Sequence, residues 1–124
     1  MLSAKSGSYS AGMEITNLVE VATKEQLYGW FVKNHATATE CWVTANRCKA
    51  PRSDAVPYVD VVEVALCFGW IDSTIKKMSD GRHAQRLTPR RKNSHWTELN
   101  KQRCLKMIAQ GLMTPAGLAA MPKE

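Results

Sequence analysis

The residues best suited to chemistry lie in one stretch, Arg86-Leu87-Thr88-Pro89-Arg90-Arg91-Lys92, followed by Ser94 and Trp96. An extended segment puts alternate side chains on one face, so Arg86 and Thr88 point the same way. Pro89 stiffens the exit. Arg90 and Arg91 then stand just ahead of an expected helix, whose N-terminal N–H groups and dipole favour an anion. A guanidinium fork takes phosphate or carboxylate with two bonds at once. Trp96 can stack on a planar ligand or on a guanidinium. Thr88 and Ser94 add hydroxyls. The competing reading is structural. In it, Arg86 and Arg90 pair with acids such as Asp72 and Glu63, and Trp96 belongs to the core.

A second candidate is Gly69-Trp70-Ile71-Asp72, directly after the most apolar segment of the chain. A carboxylate there must be paired, hydrated or exposed. Asp72 is either a surface or capping residue, or a pocket acid that accepts a ligand proton or orients an arginine. Asn100 and Arg103 follow Trp96 at spacings of four and seven, which on a helix makes one stripe. Asn100 can then serve as a ligand donor or as ordinary polar helix surface. The expected ligand-binding set is therefore Asp72, Arg86, Thr88, Arg90, Arg91, Trp96 and Asn100.

Other chemistries lack their residues. His35, His83 and His95 have no Ser or Cys partner at a spacing that suggests a nucleophilic triad. Cys41, Cys48, Cys67 and Cys104 form no CxxC pair and stand at no zinc-finger spacing from the histidines, so neither a metal nor a cofactor is expected. There is no P-loop or dinucleotide-binding glycine pattern. No complete catalytic signature emerges. The cysteines read as reduced, small, mostly buried side chains. With no apolar leader after Met1, the expectation is a cytoplasmic protein.

Charge narrows the partners. The 124 residues carry 17 basic and 11 acidic side chains, a net of +6. Residues 1–72 hold six basic and eight acidic groups, net −2, whereas 73–124 hold eleven and three, net +8. A basic half points to an anionic partner, either a small anionic ligand or nucleic acid. Few aromatics lie among the basic residues, which counts against a stacking platform for single strands. No apolar run approaches the roughly 18 residues of a membrane span.

The elements that must position these groups follow from pattern. Met1 to Gly12 reads as a flexible tail, with Met13 a second plausible start, ahead of a single domain over 13–124. Glu14–Ala22 is a first strand or an extended lead-in. Thr23 and Gln26 form a capping box opening a helix over Lys24–Asn34, with Leu27, Trp30 and Phe31 on one face. Cys41–Arg47 is a strand and Lys49–Val56 a loop. Pro57 starts a central helix over Tyr58–Phe68, ended by Gly69. Ser73–Met78 and His83–Thr88 flank Asp80-Gly81 as a hairpin. Ser94 caps a helix to about Gln110 with Leu99, Met107 and Ile108 inward, and Thr114-Pro115 opens a last short helix to Met121. The sum is a small single α+β domain, a short antiparallel sheet with a hairpin packed against three to four helices.

Three blocks, Glu63-Val64-Ala65-Leu66-Cys67-Phe68-Gly69-Trp70-Ile71-Asp72, then Gln85-Arg86-Leu87-Thr88-Pro89-Arg90-Arg91 with Ser94, Trp96 and Asn100, then Gly111-Leu112-Met113-Thr114-Pro115-Ala116-Gly117, resemble the bacterial YdeI/OmpD-associated family, also called bacteriocin-protection proteins. The resemblance runs from about Gln26 to Ala120. Ser73 stands where that family commonly has glycine, and Leu87 where it usually has an aromatic. The resemblance implies a bacterial stress- or envelope-protection protein without an established reaction, and a protein partner in the envelope as a further alternative.

Overall fold

The computed structural model describes residues 14–46, 55–91 and 94–122. In chain order these form β1 (Leu18–Val19), α1 (Lys24–Asn34), β2 (Cys41–Asn46), β3 (Val56–Pro57), α2 (Tyr58–Cys67), β4 (Trp70–Lys77), β5 (His83–Pro89), α3 (Glu98–Ala109) and α4 (Pro115–Ala120). The domain is α+β. The expected tail, Met13, Cys48, Lys92 and most of the loop after β2 lie outside the described residues.

The sheet order is β1-β2-β5-β4, with β3 also on β2. β2, β5 and β4 are antiparallel, and β4–β5 is the hairpin expected around Asp80-Gly81. The two-residue strands β1 and β3 lie in line along the free edge of β2, and both join in parallel, so the sheet is mixed rather than wholly antiparallel. Such short parallel pairs leave no period-two signal in the sequence.

α2 is the hub. Val61 to Cys67 are all buried, and the helix touches α1, α3, α4, β2, β3 and β4. A helix apolar on every side needs neighbours all round it. Against it pack Leu27 and Phe31 of α1, Cys41, Val43 and Ala45 of β2, Leu87 of β5 and Met107 of α3. Phe31 sits edge-on to Trp70 at 5.1 Å and stacks on Phe68 at 5.2 Å, so aromatic geometry fixes how α1 approaches the end of α2. The Thr23–Gln26 capping box is present.

Gly69 ends α2 with φ +78, and a Cβ there would lie 2.9 Å from the Ala116 carbonyl oxygen. α4 therefore docks at backbone distance on the α2 C-terminus. The Thr114 N–H and hydroxyl both donate to the Cys67 carbonyl, one of the acceptors a helix end leaves unpaired. Gly117 packs so closely on Cys67 that a Cβ would overlap its carbonyl oxygen. The Thr-Pro-Ala-Gly block is thus the cap of the central helix.

α3 departs from expectation at its start. Thr97, not Ser94, is the N-cap, its side chain accepting from the Asn100 N–H. The buried residues of α3 are Cys104, which clusters with Val62 and Leu66 of α2, and Met107. Leu99 and Ile108, expected inward, are 58% and 41% exposed. Ser94 is engaged elsewhere, by Arg90.

Candidate functional site

Arg90 follows β5 directly. Its N–H donates to the Gly69 carbonyl at 2.9 Å, prolonging the β4–β5 ladder to the helix-ending glycine. From there its Nη1 donates to Ser94 Oγ at 2.8 Å and to the His95 carbonyl at 3.2 Å. The guanidinium carbon lies 3.7 Å from the centroid of the Trp96 ring. Arg90 therefore holds Ser94, His95 and Trp96 ahead of α3. Ser94 thus accepts from Arg90 rather than capping α3.

The other two nitrogens of Arg90, Nε and Nη2, are buried and have no hydrogen-bond partner among the described residues. Together they form the side-on edge of the guanidinium, the one that meets a carboxylate or phosphate with parallel bonds. Burial lowers the Arg90 pKa from its ordinary value, with Cys104 and Asp72 nearby opposing the shift. An arginine stays protonated even so.

Asp72 sits on β4 opposite Leu87, hence on the helix-covered face of the sheet. The ladder slips between Asp72 and Ile75, and Gln85, 2% exposed, donates to the Thr74 carbonyl at 3.2 Å inside that irregularity. Bulges of this kind re-aim the side chains beside them. The Tyr58 hydroxyl, at the first turn of α2, donates to Asp72 Oδ2 at 2.6 Å. Tyr58 and Trp96 both pack on the cluster of Val62, Leu66 and Cys104. The Val62–Leu66 face of α2 thus has Tyr58, Trp96 and Cys104 packed along it, with Asp72 bonded to Tyr58 and Arg90 lying on Trp96. The Cys104 thiol is pushed up by burial, with the Arg90 charge acting against the shift.

The remaining expected residues go elsewhere. Arg86 is bound to Glu40, with Nε and Nη2 each 2.7 Å from Oε1, and not to Asp72 or Glu63. Thr88 pairs with Ile71 on the sheet face opposite Asp72. Arg91 is exposed. Asn100 holds Arg103, its Oδ1 accepting from Nη1 at 3.0 Å. Trp96 precedes α3, so it does not share a helical stripe with Asn100. Tyr58 was not singled out from sequence, and Cys104 was noted only by its spacing of eight from Trp96 and as a buried thiol. The available signal was a tyrosine opening a buried helix, whose hydroxyl needs a partner.

Glu63, 2% exposed, is clasped by Lys106 at 2.9 Å and Lys24 at 3.3 Å. Burial raises its pKa, but the hydrogen bonds from the two lysines outweigh that and leave it below the ordinary value. Glu40 is also held below its ordinary value, chiefly by the Thr16 hydroxyl; burial, the next largest effect, opposes this, and Arg86 adds to the lowering. Cys41, Cys67 and Cys104 are free and buried, and burial pushes Cys41 and Cys67 to about 12. Among the described residues no group of three or more His, Cys, Asp or Glu is placed to hold a metal ion. No described helix is long and apolar enough to cross a membrane.

A family model for a domain of unknown function, DUF8412, matches residues 19–120. The chain belongs to that family. No curated protein and no solved structure matches it. The DUF8412 match covers every element just described except the first residue of β1, so the Arg90 cluster and the α4 cap both fall inside it.

Proposed function

We propose that this domain binds a small ligand through a carboxylate or phosphate seated on the Nε/Nη2 edge of Arg90. The observation that carries this reading is the pair of buried, unpartnered donors on one charged side chain. Each unpaired buried donor costs about 1–3 kcal/mol, so a native fold keeps such an edge only for a reason. A bidentate, charge-assisted pair to an anion removes that cost. Ser94, the His95 carbonyl and Trp96 fix the guanidinium plane beforehand, which limits the side-chain entropy lost on binding. Exposed Arg91, one residue on, adds long-range attraction for an anion.

The test is a titration with inorganic phosphate and with acetate, read by tryptophan emission in the wild type and in Arg90→Gln. A saturable change that disappears in the variant supports the reading. No saturable change, or the same change in both proteins, contradicts it.

Nucleic acid is the weaker alternative. Arg82, Arg86 and Lys106 are engaged by Glu20, Asp80, Glu40 and Glu63, which leaves fewer free cations for a phosphate backbone. Binding to DNA that falls steeply with salt, and depends on Lys76 and Lys77 as much as on Arg90, would favour it. The resemblance to the YdeI/OmpD-associated family adds a setting, bacterial stress or envelope protection, to the anion-binding reading. An envelope partner is sought by pull-down with wild type and Arg90→Ala.

A further inference from the structure

The fold treats the two outer edges of the sheet differently. The outer edge of β2 is taken up by β1 and β3. At the other side β4, at eight residues the longest strand, pairs with β5 alone among the described residues. Its outward N–H and C=O groups are a template for one more strand. That template is open from Ser73 onward. Ser73, Thr74, Ile75 and Lys77 are exposed, Ile75 to 37% although its side chain is large and apolar.

We propose that β4 is a dimerisation edge, on which a second copy of this chain lays its own β4 antiparallel to form one continuous sheet. The side chains of β4 match a copy of themselves. Asp72, Ile75 and Lys77 stand opposite Leu87, Gln85 and His83, alternate residues of β5, so all three lie on the helix-covered face. Ser73 and Thr74 share the place opposite Arg86, so this bulge counts as one step, and the Gln85 side chain holds it through the Thr74 carbonyl at 3.2 Å. Counted in steps, Ile75 is midway between Asp72 and Lys77. A twofold axis at Ile75 therefore sets Ile75 against its own copy, and Asp72 of each chain against Lys77 of the other. This is the reciprocity that an isologous interface requires. Without the bulge, Asp72 and Lys77 would fall on opposite faces and the match would be lost. Lysines and bulges on an edge ordinarily deter foreign strands. Here they also specify one register, which a copy satisfies.

Sedimentation equilibrium on the full chain, with nitrogen-15 spectra over a dilution series, tests this. An edge-strand contact is small, so the expected Kd lies between about 10 μM and 1 mM, and dilution should move the amide signals of Ser73 to Lys77. Lys77→Asp sets acid against acid across the axis and should weaken association about tenfold or more. Asp72→Lys does the same with bases. Mixed in equal amounts, the two variants regain opposite charges at every pair. The mixture should then form a heterodimer at concentrations where each variant alone is a single chain. A wild type that keeps the mass of one chain at about 2 mM overturns the proposal. So does a dimer whose dilution shifts fall away from β4, or one that Lys77→Asp leaves as tight as before. Two folded variants that stay apart on mixing overturn it too. Where Asp72→Lys folds poorly through loss of its Tyr58 bond, the dilution spectra and Lys77→Asp still decide.

Discussion

Arg86 and Arg90 differ in what meets the side-on edge of each guanidinium. Glu40 occupies that edge of Arg86, and no described residue meets that of Arg90. The sequence showed both arginines, their strand and the nearby tryptophan, but not this difference. Glu40 lies 46 positions from Arg86 and reaches it only because β2 pairs with β5. Asp72, Arg90 and Trp96 could be named together from sequence because they fall within 25 residues of chain. Tyr58 could not, since the fold alone brings it to Asp72. The residue-scale expectation is a contrast in stability. Arg86→Met leaves Glu40 half-buried with only Thr16 and a weakened charge environment. It should lower the urea midpoint by an amount equivalent to about 1–2 kcal/mol, without altering the phosphate response. An unchanged midpoint would mean the Arg86–Glu40 pair holds nothing.

At the level of elements, helix caps decided where the reading from sequence held. Thr23 with Gln26, Thr114 before Pro115 and Gly69 after the apolar run each carry a local signal, and each placed its boundary within a residue or so. The start of α3 was misplaced because Ser94 and Thr97 are both competent caps. Ser94 instead accepts from the Arg90 guanidinium four residues before it, a side-chain contact that carries no capping signal in the sequence. Leu99 and Ile108 are exposed for a separate reason: nine residues apart, they lie on opposite sides of the helix, and the buried side is the one carrying Cys104 and Met107. The docking of α4 is testable by itself. Gly117→Ala drives a methyl into the Cys67 carbonyl and the Met113 sulfur. Overpacking of this kind should cost about 1–3 kcal/mol in urea unfolding, and an unchanged midpoint would contradict the close approach.

Across the whole molecule, folding brings acids of the first half against bases of the second. Glu20, Glu40 and Glu63 of the first half meet Arg82, Arg86 and Lys106 of the second. A count along the chain cannot see this, because it averages over residues that the sheet and α2 later bring together. The buried Glu63 clasp makes a prediction with a sign. Its folded pKa lies below the ordinary 4.5, so its contribution is complete above that value and is lost as pH falls through the folded pKa. Glu40 acts in the same direction. Removing both lysines, as Lys24→Met with Lys106→Met, leaves a buried carboxylate unpaired at a cost of about 3 kcal/mol near neutrality. Burial then raises the Glu63 pKa, so protonation relieves the strain. The gap between variant and wild type should close as pH falls, as urea midpoints across that range will show. A gap independent of pH would rule out this role for Glu63.

The unpartnered edge of Arg90 is tested most directly by Arg90→Met, with urea stability and phosphate titration measured on the same preparation. If the edge is kept for a ligand, replacing it with an apolar chain of similar reach removes two unsatisfied donors. The lost Nη1 bonds to Ser94 and the His95 carbonyl offset that relief, so stability should stay within about 1–2 kcal/mol of wild type while the phosphate response vanishes. A large loss of stability together with an intact phosphate response would make Arg90 a structural residue and place any anion elsewhere.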